Sequence, residues 1–388
     1  TVKTLGVTCN LSSGTTGSFT FASASSTAYS VTGSVSGSTI TPSAVTGTAP
    51  TMTVQSGGNL VASTDSSSPS IALVAGGTTG VTANVIKFRA SNEAVNLTKI
   101  GLKLQSGAAT DLTQVYLYAG TNIMTTTGTA IAANTLIGTA TFTGGLSTAT
   151  STLSTTIQLP KDSDATIIVK ADMADVGSNQ PGVVADNVVI NYDNSQGTGF
   201  NSGANVFGSV GVSTNAAGVR IFNTIPTVAS DSTLPTTGVA DGRLAQFKIT
   251  ADSHGPVGIG KLSFTTTWTT ISGITNAMLN VYSDAGYNNL VTSGGYGTTT
   301  GQLGFQIPTL TSGSTYSFSA AGNQLQIPAG STYYFKLTGT VAGATSGASA
   351  VTTVKGDASF DGLKNVPALS ASNFVWSDNA TTPAHLTN

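Results

Sequence analysis

Charged side chains make up only 8% of this 388-residue chain, against about a quarter of an ordinary globular protein. Fourteen Lys and Arg against sixteen Asp and Glu leave a net charge of −2. That balance lacks the cationic surplus needed to displace counterions from a phosphate backbone, which argues against nucleic acid as a partner. It also lacks the acidic excess of a charged disordered tail. No apolar run approaches the ~18–20 residues of a membrane span. Cysteine is limited to Cys9, which excludes an intrachain disulfide and leaves the redox compartment open. With one Cys and two His, His254 and His385, a closed zinc site of the usual composition is not expected. Glu occurs once, at Glu93, and Lys is sparse, so the polar residues are the wrong kind for surface helices.

Thr, Ser, Val and Gly take their place, with Gly alone at 46 positions. Thr and Val are β-branched and fit a pleated sheet, while Gly and Ser mark turns. An all-β protein follows. Hydroxyl-rich faces stay soluble without titrating, which suits an extracellular protein at a cell surface.

An internal repeat organises the chain. Ile86-Lys87-Phe88-Arg89 parallels Ala245-Gln246-Phe247-Lys248. The next strands match Leu102 with Leu262 and Leu104 with Phe264, then Val115-Tyr116-Leu117-Tyr118 with Leu279-Asn280-Val281-Tyr282. Gln158-Leu159-Pro160 matches Gln326-Ile327-Pro328, which sets Ile167 on Phe335 and Val169 on Leu337. Order and alternation held over roughly 110 residues are hard to obtain by chance, and the long period disfavours a parallel β-helix, whose coils repeat every ~20–25 residues. The expectation is tandem immunoglobulin-like β-sandwiches at 57–230 and 231–388. A junction is expected at Ile225 to Gly238, where Pro226 and Pro235 stiffen the chain.

Residues 1–56 match neither repeat. Leu5, Val7, Cys9 and Leu11 alternate strictly, as one face of a strand would. Two readings stay open for this β segment: a small local β-domain, or an assembly strand that pairs with another subunit. At the other end Phe374 and Trp376 share one face at strand spacing, and an uncovered edge there would be a second pairing site.

The two repeats, the segments Phe88-Arg89-Ala90-Ser91-Asn92 and Phe247-Lys248-Ile249-Thr250-Ala251-Asp252, and the ending Asn373-Phe374-Val375-Trp376-Ser377-Asp378 together resemble surface proteins of uncultured ultra-small bacteria, the Patescibacteria or candidate phyla radiation. The resemblance covers roughly residues 58–388. It implies Thr/Ser-rich tandem sandwiches at the cell surface, of surface-layer or filament type, and carries no site residues.

Catalytic chemistry has few candidates. His254 lies in Asp252-Ser253-His254-Gly255-Pro256, a turn by composition. No nucleophile-elbow motif accompanies it. The pairs Asp162 and Asp164, Asp172 and Asp175, and Asp357 and Asp361 read as turn and solvation residues. Asp284 and Asn288, in Asp284-Ala285-Gly286-Tyr287-Asn288-Asn289, have some of the look of a calcium loop but lack its bidentate Glu. A structural calcium is therefore the one ion these residues could hold, and no other cofactor is expected. Tyr287, Tyr296 and Trp268 are the aromatics placed to stack on a sugar.

The expected function is that of a non-enzymatic subunit that polymerises with itself into a pilus-like filament or a surface layer. Leu5, Val7, Cys9, Leu11, Phe374 and Trp376 are its interface candidates. The alternative is an adhesin that binds glycans or a host cell surface, and a viral fibre is a third possibility.

Overall fold

The computed structural model describes residues 8–10, 17–21, 30–41, 50–54, 57–211, 215–231, 239, 241–292, 294–297, 301–357, 372–380 and 385–386. The described part is all-β, with one short 3-10 turn at Ala109–Asp111. Four short strands come first: β1 (Gly17–Thr20), β2 (Val31–Thr32), β3 (Thr39–Ile40) and β4 (Thr51–Val54). β1 pairs with β4 and β2 with β3, as two ribbons apart from the other sheets.

The first sandwich uses β5 (Asn59–Thr64), β6 (Ala72–Ala75), β7 (Val81–Ser91), β8 (Val95–Ser106), β9 (Leu112–Ala119), β10 (Met124–Thr125), β11 (Leu136–Ala140), β12 (Thr148–Leu159), β13 (Asp164–Met173), β14 (Asn187–Gly199), β15 (Asn205–Val210) and β16 (Val219–Phe222). One face runs β5-β7-β13-β9-β11 and the other β10-β12-β8-β14-β15. The second sandwich uses β17 (Pro226–Ser230), β18 (Arg243–Ala251), β19 (Val257–Thr269), β20 (Gly273–Tyr282), β21 (Ile307–Thr309), β22 (Thr315–Ser319), β23 (Leu325–Ile327), β24 (Thr332–Ala342), β25 (Ser349–Lys355), β26 (Phe374–Ser377) and β27 (His385–Leu386). Its faces run β17-β18-β24-β20-β21 and β22-β19-β26-β27, with β23 and β25 also on β19. The five-stranded faces of the two sandwiches have one and the same order.

Alternation explains the strands. On β13, Ala165, Ile167, Val169, Ala171 and Met173 point into the core and the residues between them point out. Each sandwich is tied across its sheets by aromatic contacts: Phe88 against Tyr192 at 5.5 Å between centroids, and Phe247 against Phe264 at 5.8 Å. Burying one such side chain stabilises by about 1.5–3 kcal/mol. The outer faces use hydroxyl pairs where other proteins use charge. Directly opposed Thr250 and Thr332 meet at 2.8 Å, and Thr269 and Ser349 at 2.8 Å. Cross-strand pairs of this kind each contribute about 0.2–1 kcal/mol.

The changeover between cores lies earlier than the prolines indicate. β17, which begins at Pro226, pairs with β18 from Pro226 opposite Ala251 to Ser230 opposite Phe247, so it belongs to the second sandwich. Pro235 lies outside the described residues. Phe222, the last residue of β16, is already inside the second core, 5.1 Å from the Trp376 ring. Thr224, fully buried, donates its hydroxyl to the Gly255 carbonyl at 2.8 Å. Side-chain packing by Phe222 and Thr224 marks the junction.

Candidate assembly interface

The β1–β4 ribbon is amphipathic. Phe19 lies opposite Met52, and the two-residue period puts Phe21 and Val54 on the same face. The other face carries Ser18 with Thr53 and Thr20 with Thr51, paired through their hydroxyls at 3.0 and 3.1 Å. The apolar face is open: Phe21 is 45% and Met52 51% exposed. Together with Thr8, exposed Cys9, Phe19 and Val54 they line a groove of about 400 Å³. None of these residues belongs to either hydrophobic core. A lone two-stranded ribbon is marginal in water. Leu5, Val7 and Leu11 lie outside the described residues.

Phe374 and Trp376 do not form a second open face. β26 is paired on one edge with β19 and on the other with β27. Phe374 and Trp376 are 6% and 0% exposed and belong to the second core. Val375, on the other face, is buried as well.

The Asp284 loop is closed by its own donors. The carboxylate accepts the N–H of Asn288 at 3.1 Å, the N–H of Asn289 at 2.6 Å and the side-chain amide of Asn288 at 3.4 Å. The Asn289 N–H above all holds this carboxyl below the ordinary range. Of the other acidic pairs, Asp164, Asp172 and Asp357 are engaged likewise, and Asp361 lies outside the described residues. Asp164 binds Arg89 at 2.8 Å, and Asp172 accepts the Gly80 N–H at 2.7 Å and the Tyr116 hydroxyl at 3.0 Å. Asp357 accepts the N–H groups of Asn373 and Phe374. Among the described residues no three His, Cys, Asp or Glu side chains gather as a metal site. His254 sits in the β18–β19 turn, with its ring Nδ1 2.5 Å and its backbone N–H 3.0 Å from Asp252 Oδ1.

Three carboxylates escaped the sequence reading. Glu93, 7% exposed, accepts the N–H groups of Gly58 (2.8 Å), Asn201 (2.8 Å) and Ser202 (2.9 Å) and the Ser202 hydroxyl (2.6 Å). Gly199 makes room for it, since a Cβ there would lie 2.1 Å from Oε1. Burial pushes this carboxyl up, but the four donors outweigh it and the net shift is downward. Asp111, fully buried, accepts the N–H groups of Ala108 and Val183 at 2.7 and 2.8 Å. Burial, with Asp186 alongside, pushes its carboxyl up. Asp378, also fully buried, accepts the Asn223 N–H at 3.0 Å and so ties the C-terminal strand to the junction. The one available signal was Glu93 itself, a unique residue type beside a Ser-Asn turn.

The sugar-stacking candidates separate. Tyr296 is buried, its hydroxyl donates to the Val291 carbonyl, and burial pushes its phenol up to about 12. Trp268 packs half-buried on the second core. Tyr287 stands on the outer face, 5.3 Å from Tyr282 and 6.1 Å from Tyr334, with Lys336 5.4 Å above its ring and its hydroxyl on Asp231 at 2.7 Å. The first sandwich carries a counterpart: Lys170 lies 4.9 Å over Tyr118, which neighbours Tyr116 at 6.4 Å.

No protein-family model matches the chain, and no curated protein matches it. Among solved structures, one match is a chain from the complete structure of manganese lipoxygenase of Gaeumannomyces graminis and partial structure of zonadhesin of Komagataella pastoris. It is 12% identical over 85% of this chain and 95% of that one, at a TM-score of 0.17. Another is the serine-rich repeat protein Srr2 of Streptococcus agalactiae, 10% identical over 85% of this chain and 92% of that one, at a TM-score of 0.16.

Proposed function

We propose that this chain is a non-enzymatic, extracellular structural protein that self-assembles through its N-terminal segment into a cell-surface filament or layer. The observation that carries this reading is the β1–β4 ribbon, whose apolar face of Phe19, Phe21, Met52 and Val54 lies outside both cores. Such a face is stable when another subunit covers it. The hydroxyl-rich outer faces and the scarcity of charge support an exterior setting. Among the described residues no helix is long and apolar enough to cross a membrane.

Negative-stain electron microscopy of the intact chain beside one lacking residues 1–56 tests it. Regular fibres or sheets from the first and monomers from the second are expected. Monodisperse monomers from both at high concentration overturn it. A second reading, glycan adhesion, is favoured by the tyrosine–lysine faces around Tyr287 and Tyr118, since aromatic faces stack on sugars. Saturable glycan-array binding by a monomer, lost in Tyr287→Ala, is its expected signature.

A further inference from the structure

The two sandwiches differ on one side. In the first, that side is closed twice: β15 lies antiparallel to β14 and parallel to β5, and β16 lies antiparallel to β14 and parallel to β6. The closure seals the core, for Val206 on β15 and Leu60 and Ala62 on β5 are all buried.

In the second sandwich β25 and β26 take the place of β14 along β19, and β17 takes that of β5 along β18. There the parallel ends. Among the described residues, β27 is the one strand beyond β26, and no strand pairs with the outer edge of β25 or of β17. Val228 on β17 registers the gap. It lies opposite Ile249, a fully buried core residue, so it shares the inner face. It is nevertheless 40% exposed. Val354 on β25 lies opposite buried Phe264 and is itself only half-buried. Between these two edges runs a cleft of about 380 Å³, walled by Pro226, Val228, Val354, Lys355 and Phe374, with Leu73 of the first sandwich also on its wall.

We propose that this cleft receives the N-terminal segment of a second copy as an added strand, antiparallel to β25 and parallel to β17, as β15 lies between β14 and β5. The proposal rests on the self-assembly reading and names its acceptor. The occupant is argued from three observations. The first sandwich fills the corresponding side with a strand. The segment from Thr4 to Ser12 is uncharged and sets an apolar residue at every second position through Leu5, Val7, Cys9 and Leu11, the pattern needed to cover Val228 on one face. The β1–β4 ribbon that follows lies outside both cores. Added backbone would pair with two open edges at once. A subunit that donates at one end and accepts at the other joins head to tail, which propagates as an open fibre when the rotation does not close.

Cys9, the single native thiol, supplies the probe. Val228→Cys and, separately, Val354→Cys place a second thiol on the inner face of each acceptor edge. Val351→Cys, on the outward face of β25 where the native residue is 64% exposed, is the control. Each full-length variant is assembled, mildly oxidised and run without reductant. Disulfides need Cα atoms within about 7 Å. A ladder of linked multimers is expected from the two cleft variants, lost on adding Cys9→Ser, with about ten-fold less from the control. A ladder that survives Cys9→Ser, equal yields at all three positions, or a bond from Cys9 within a monomer overturns the proposal. Micrographs of the unmodified chain separate the failures. Fibres without a Cys9-dependent ladder overturn this acceptor and leave self-assembly standing, while no assembly at all overturns both.

Discussion

Glu93→Gln replaces a carboxylate by an amide of nearly the same shape. The carboxylate takes four hydrogen bonds, two on each oxygen. Gln offers one acceptor oxygen, so its NH2 group must face two of the donors. If the oxygen stays toward Gly58 and the Ser202 hydroxyl, the N–H groups of Asn201 and Ser202 lose their partner. Charged hydrogen bonds are worth about 1.5–3 kcal/mol each and a buried donor left unpaired costs about 1–3 kcal/mol. Water reaching the rim offsets part of this, which leaves a local loss of about 2–4 kcal/mol. Read by hydrogen exchange, the amides of Gly58, Asn201 and Ser202 should exchange roughly 30-fold to 900-fold faster, at 1.36 kcal/mol per decade. The pH dependence has a fixed sign. A carboxyl held below its ordinary value of 4.5 contributes stability above that value, and the contribution is lost as pH falls through the lowered folded value. Wild-type protection at these amides should therefore fall in acid, and Glu93→Gln should lack that fall. Acceleration of less than about three-fold, or the same acid loss in both proteins, would refute the account.

Asp111 has the opposite sign. Its carboxyl is raised above 3.8, so stability declines as pH rises from 3.8 toward the folded value. Asp111→Asn should flatten that decline in urea midpoints taken across the acid range. Phe335, fully buried and stacked on Phe247 at 5.0 Å, should cost about 3–5 kcal/mol when changed to Ala. A loss below about 1 kcal/mol in urea unfolding would contradict its place at the centre of the second core. Calcium, followed by calorimetry with and without a chelator, should move the melting temperature by less than about 1 °C, because the Asp284 carboxylate is already occupied by Asn288 and Asn289. A large upward shift abolished by Asp284→Ala would overturn that.

The all-β class was legible because β-branched residues and two-residue alternation are local signals, as at Ile167 and Val169 on β13. The matched Phe88 and Phe247 do fall on strands of corresponding place, β7 and β18. What stayed hidden is long-range. The sequence marks Glu93 only as the single Glu, because its donors Asn201 and Ser202 stand 108 and 109 residues away. Trp376 was placed on a face by spacing alone, and spacing does not say that Phe222 from the preceding sandwich covers it. The junction was assigned to prolines because proline is visible in sequence and side-chain docking is not. The parallel pairs β15–β5 and β16–β6 join strands with Cα partners such as Ser209 and Val61, for which no turn signal exists.

A common cause underlies the scarcity of charge and the placing of so many acids on backbone N–H groups. An open backbone N–H must find an acceptor, and in a loop-rich sandwich many lie off the ladders. Thr and Ser hydroxyls accept some of them, as Ser68 does from the Val85 N–H and Thr166 from the Thr121 N–H, while others pair across strands, as Thr266 does with Thr352. A carboxylate can accept several N–H groups at once and bonds them about twice as strongly. Asp65, Glu93, Asp111, Asp284, Asp357 and Asp378 all take backbone N–H groups in this way. The Lys and Arg ion pairs of the described residues, by contrast, are Lys87 and Arg89 with Asp164, Lys161 with Asp162 and Arg243 with Asp241. Surface pairs of this sort add about 0–1 kcal/mol and are screened by salt. The acids are therefore retained as caps on the backbone, and cations are few because the fold gives them little to do. Such a surface meets changing salt with little change in stability, and its sensitivity to pH is confined to the range where those capping carboxylates titrate.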